Sequence, residues 1–112
     1  MGNRVLMQVY NSDTNRFGPA VYGHWSGSDA KDIANRLKAR MKNRIGDVDY
    51  SSARLVQEMI NNEQGDGGFG IWNVDKILTS ADSHGDAGIV LIDCFNDHEP
   101  TFIGGYLSGN PA

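Results

Sequence analysis

The sequence predicts an α+β fold: a largely antiparallel sheet of about five strands, in the order ββααβββ, with two helices packed on one face. Three observations carry this expectation. Short alternating or continuous apolar runs open and close the chain, the middle shows apolar residues at helical spacing, and the connections are rich in Gly, Asn, Asp and Ser. At 112 residues, with 39% hydrophobic and 9% aromatic content, the chain suits one domain, residues 1–112, with a real core.

Residues 4–10 (RVLMQVY) read as the first strand, with Val5, Met7 and Val9 on one face and Leu6 and Tyr10 on the other. Residues 11–18 form a polar turn. Residues 19–25 read as a second strand, so the first two make a hairpin with a long loop. Ser28 is placed to cap a helix whose stripe is Ala30, Ile33, Ala34, Leu37 and Met41, and Gly46 is placed to end it. Asp49 is expected to cap a second helix with Ala53, Val56, Met59 and Ile60 on one face. The segment 61–70 is a glycine-rich connection, 69–73 a short strand and 75–86 mostly loop. Residues 88–94 (GIVLIDC) give the strongest strand signal, apolar enough to be central. A turn over 95–100 and a strand over 101–107 complete the order.

Charge and composition narrow the function. A net charge of −4 argues against general nucleic-acid binding and against docking on anionic membranes. No apolar run approaches the roughly 20 residues that span a bilayer. The N-terminus lacks the apolar core of a signal peptide, and Leu6 stands where a myristoylation motif wants Ser or Thr. The single cysteine, Cys94, excludes an intrachain disulfide and a cysteine-based zinc finger. A cytoplasmic protein is the simplest expectation. Six of the ten basic residues fall between Lys31 and Arg44, while Asp66 to Glu99 carries seven acids against Lys76 alone. The basic helix reads as a solvated face, or as a surface for a phosphate-bearing ligand.

Several apparent motifs fail on chemistry. The segment 65–70 (GDGGFG) lacks the Lys-Ser/Thr of a P-loop and precedes a strand, so it reads as a flexible, lid-like loop. The segment 82–86 (DSHGD) matches no metal-ligand spacing, and a site of two or three histidines would need the distant His24 and His98 to converge on it, so no metal and no cofactor are expected. Cys94, at the end of an apolar strand, reads as a buried, inert thiol. Ser26 and Ser28 near His24 do not form a nucleophile elbow.

The segment 21–27 (VYGHWSG) stands out, because it sets Tyr22, His24 and Trp25 beside Gly23 and Gly27 where strand gives way to helix. Its structural reading has Trp25 plugging the gap between sheet and helices. Its functional reading is a stacking surface, with Tyr22, His24, Trp25, Trp72 and Tyr50 offering flat faces and Arg54, four residues from Tyr50, meeting phosphate. The binding set read this way is Tyr22, His24, Trp25, Ser26, Tyr50, Arg54, Trp72 and Asp86, with no catalytic residue.

These segments, with 3–9, 49–56 and 85–93, resemble a group of small proteins from phages and bacterial mobile elements. The shared pattern is a strand ending in His-Trp-x-Gly, a Tyr-x-x-Ala-x-x-Val-type helix and a Gly-Asp-x-Gly strand start. The resemblance implies a counter-defence factor, either a sponge for an immune nucleotide signal or an inhibitor of a CRISPR-type complex, and it carries over no catalytic residue. Three functions follow as expectations. A nucleotide-sequestering module, the favoured one, needs a pocket rimmed by Tyr22, His24, Trp25 and Arg54, completed across a homo-oligomer interface if necessary. A protein-binding inhibitor of a host defence complex needs a contiguous acidic face instead. A small enzyme with His24 as acid or base lacks a partner carboxylate or nucleophile at recognisable spacing.

Overall fold

The computed structural model describes residues 3–63, 68–96 and 99–109. Its elements run β1 (Val5–Asn11), β2 (Arg16–Phe17), β3 (Ala20–Gly23), α1 (Ala30–Arg40), α2 (Val48–Asn62), β4 (Phe69–Trp72), β5 (Gly88–Asp93) and β6 (Thr101–Ile103). The α+β class and the two helices on one sheet face are as the sequence predicts. The sheet order is β4-β3-β1-β5-β6, with β2 paired to the end of β1. All pairings are antiparallel except one: β1 and β5 run parallel from Val5↔Gly88 to Tyr10↔Asp93. Among the described residues no helix is long and apolar enough to cross a membrane.

Side-chain alternation splits the core in two. Val5, Met7 and Val9 of β1, Val21 of β3 and Val90 and Ile92 of β5 face the helices, meeting Ile33, Ala34 and Leu37 of α1 and Leu55 and Met59 of α2. Leu6, Ala20, Ile89 and Leu91 face the other way, against Leu78, Val74 and Ile77. β4 lies at one edge and runs parallel to β5, with β3 and β1 between them. The connection 73–87 therefore crosses the helix-free face, and it is what covers that face.

A crossover whose regular structure is a single 3-10 turn at Ser80–Asp82 brings unpaired backbone groups onto an apolar surface. Gln8, fully buried at the middle of β1, satisfies them. Its Nε2 donates to Lys76 O at 2.9 Å and Gly18 O at 3.1 Å, and its Oε1 accepts from Leu78 N at 2.9 Å. A primary amide is suited to this because it both donates and accepts.

The helices depart from expectation at their ends. Residues Gly27–Asp29 form a 3-10 turn, and α1 starts at Ala30 without a side-chain cap, so Ser28 does not cap it. α1 ends at Arg40, and turns carry the chain to Gly46, whose φ of +86° explains the glycine. Asp47, not Asp49, caps α2, accepting from Tyr50 N at 2.9 Å. The buried stripe of α2 is Val48, Ser51, Ser52, Leu55, Glu58 and Met59, with Ala53 and Ile60 exposed. The pattern was rotated because two serines and a glutamate occupy inward positions. The second predicted strand stops at Gly23, and the last stops at Ile103 before a 3-10 turn over Tyr106–Ser108.

Glu58 closes the helix pair, accepting from Arg36 Nε at 2.8 Å and Arg40 Nη1 at 2.9 Å. The hydrogen bond from Arg36 does most to hold its carboxyl below the ordinary glutamate value, against burial. A lowered native pKa means the pair's stabilisation is present above the ordinary value, about 4.3, and is lost as pH falls through the native one. Urea unfolding of the wild type will therefore weaken below about pH 4, and Glu58→Gln will flatten that acid limb. Gln8→Leu keeps the volume but strands three backbone groups, and urea titration should show a loss of about 3 kcal/mol. A loss under about 1 kcal/mol would mean apolar contacts alone hold the crossover.

Candidate functional site

The His-Trp-x-Gly junction is built around one carboxylate. Where β3 ends, His24 N donates to Gly68 O at 2.8 Å, and Trp25 N donates to Glu63 Oε2 at 2.9 Å. The Ser26 hydroxyl donates to the same oxygen and accepts from Asn62 Nδ2 at 2.9 Å. Glu63 follows the last turn of α2 and is buried, and its Oε1 has no hydrogen-bond partner among the described residues. Gly27 closes the motif for steric reasons: a Cβ there would sit 2.6 Å from Ala87 Cβ and 2.7 Å from Asn3 O. Ser26 and Gly27 are thus architectural, since the Ser26 hydroxyl is taken up as donor to Glu63 and as acceptor from Asn62.

The rings gather on the other side of the sheet. Tyr22 pairs with Gly70, and Ala20 with Trp72, so Tyr22 and Trp72 project from the helix-free face. His84 arrives there from the crossover. Its ring lies 5.3 Å from Tyr22 and is stacked at 6.3 Å on Trp72, while Tyr22 and Trp72 stand 6.4 Å apart. Tyr22 Oη and His24 Nδ1 share a hydrogen bond of 2.8 Å. With the phenol as donor, His24 keeps its proton on Nε2. Burial raises the Tyr22 pKa, partly countered by Arg4, so the phenol is neutral at physiological pH.

Gly70 leaves the space between these rings open. A Cβ there would meet only Trp72 Cζ3 at 3.9 Å and Tyr22 Cβ at 4.0 Å. Beside the rings, Asp86 Oδ2 accepts from Arg4 Nε at 2.8 Å and Arg4 N at 3.1 Å. The side-chain hydrogen bond from Arg4 holds the Asp86 carboxyl below its ordinary value, and Asp86 raises the Arg4 pKa in return. Half-exposed Arg4 is thus a fixed cation at the edge of the ring cluster.

The expected binding set therefore divides. Tyr22, His24, Trp72 and Asp86 fall in one neighbourhood. Trp25 touches His24 edge-on at 4.4 Å but is 59% exposed, so it does not plug the gap between sheet and helices. Tyr50 and Arg54 lie on α2, across the sheet from Tyr22, and do not join the cluster. Tyr50 instead sits under Arg44 at 3.6 Å and Arg54 at 4.9 Å. His84 and Arg4 were missed as stacking and charge partners. The ligand-type segment 82–86 was the signal for His84, but only the crossover's path shows where it lands.

Among the described residues no group of three or more His, Cys, Asp or Glu side chains could hold a metal. His98, Asp66 and residues 64–67 of the glycine-rich loop lie outside the described residues. Burial pushes the Cys94 thiol up, which makes it a poor nucleophile.

The sequence matches no protein-family profile, no curated protein and no solved structure.

Tyr22→Phe should release His24 Nδ1 while keeping the fold. Nitrogen-15 histidine NMR will then show His24 moving from mainly the Nε2-H tautomer toward a mixture, with His84 unchanged. An unmoved His24 would mean that the hydrogen bond does not set its tautomer.

Proposed function

We propose that this protein is a non-catalytic binding module that sequesters a small nucleotide-like ligand on the sheet face formed by Tyr22, Trp72, His84 and His24. The observation that carries the reading is the open place above Gly70, flanked by Tyr22 and Trp72 with two imidazoles nearby. A flat heterocycle gains stacking from such rings whatever its identity, and the His24 Nε2-H offers a donor, and the Tyr22 oxygen an acceptor, to its edge. Arg4, in place of Arg54, supplies the charge for a phosphate. Its site is exposed on one side, which suits a ligand that a second copy of the chain helps to enclose. The mobile-element resemblance gives the setting, capture of an immune nucleotide signal in a host cell.

The test is equilibrium dialysis against mononucleotides, cyclic dinucleotides and cyclic ADP-ribose isomers, followed by heat release and chromatography. At least one member should be depleted and recovered intact. Trp72→Ala should weaken it roughly 5- to 150-fold, the worth of one stacked base. Gly70→Leu should abolish depletion with the circular dichroism spectrum retained. No depletion of any member would overturn the proposal, and recovery of an altered ligand would replace capture with catalysis.

A further inference from the structure

A second site lies at the opposite end of the sheet and on its other face. Between the end of α1, the first turns of α2 and the carboxyl end of β5 there is a groove of about 580 Å³. That is the size of a small-molecule pocket. It stands beside the carboxyl ends of the parallel pair β1 and β5, where open sheets commonly receive ligands.

The body of the groove is apolar, lined by Leu37, Met41, Ile45 and Phe95. Ile45 is 68% exposed and Phe95 42%, two large apolar side chains on one groove. Ser51 also lines it. This serine is 1% exposed, and among the described residues its hydroxyl makes no hydrogen bond of normal geometry, although it lies near enough to the Cys94 thiol to favour the thiolate. A buried hydroxyl left this way costs stability unless something else meets it. Lys42 brings positive charge to the same groove. Among the described residues the carboxylate lining it is Asp93, which is engaged internally: Oδ1 accepts from Ser12 N and Phe95 N, and Oδ2 from Asn96 Nδ2.

We propose that this groove binds an amphipathic organic monoanion, with an acyl or aryl body against Ile45, Phe95, Met41 and Leu37 and an anionic head on Ser51 and Lys42. Charge decides the class. The apolar walls would take any hydrophobe, but the orphan donor and the lysine favour one that carries a single negative group. The site shares no residue with the ring cluster, so either can fail without the other.

Decanoate and decanol serve as probes in calorimetric titrations of the full chain. Decanoate should bind saturably, one per chain, and more tightly than decanol. Lys42→Ala and Ser51→Ala should each weaken decanoate roughly 5-fold, and Lys42→Ala should leave decanol unaffected. Ile45→Ser, at an exposed position that leaves the core intact, should weaken both probes about 10-fold. Trp72→Ala should change neither. No saturable decanoate binding, decanol binding as tightly as decanoate, or indifference to Ile45→Ser would each overturn the proposal.

Discussion

Gln8 sits where a β-sheet normally has an aliphatic residue, at the middle of a central strand with its side chain wholly buried. Its amide pairs with backbone groups on that face, the Lys76 carbonyl, the Leu78 N–H and the Gly18 carbonyl. Everything on the helix-free face follows from this anchorage. The crossover it holds seals Leu6, Ile89 and Leu91 beneath Leu78, returns the chain from edge strand β4 to β5, and delivers His84 and Asp86 beside Tyr22. One polar residue in an apolar position thus links the covering of the core to the assembly of the ring cluster.

The two halves of the VYGHWSG segment serve different ends. Tyr22 and His24 join the ring cluster, while Ser26 and Gly27 fix the entry to α1 through Glu63, Asn62 and Asn3. A carboxylate shared by Trp25 N and Ser26 Oγ sets the turn geometry, and that geometry orients His24 toward the Tyr22 hydroxyl.

Much of the fold was legible because it depends on local pattern. The alternation in 5–9, the continuous run 88–93 and the stripe from Ala30 to Leu37 each identify an element and its inward face. The parallel pairing of β1 with β5 was not legible, since it depends on where a long connection returns. The inward face of α2 was misread because Ser51, Ser52 and Glu58 are buried by partners distant in sequence. For the same reason the ring cluster was half visible: Tyr22 and His24 are neighbours in the chain, whereas Trp72, His84 and Arg4 meet them only through sheet register and the crossover. Tyr50 and Arg54 shared a helix face as expected, but that helix packs on the wrong side of the sheet to join the cluster.

The most direct test of this account is native-state hydrogen exchange at the Leu78 amide, which donates to Gln8 Oε1. A crossover held as part of the sheet predicts that Leu78 N–H exchanges as slowly as the amides of β1 and β5, through global unfolding. Exchange as fast as that of an exposed loop would contradict it, because the residues that form the ring cluster would then have no fixed support.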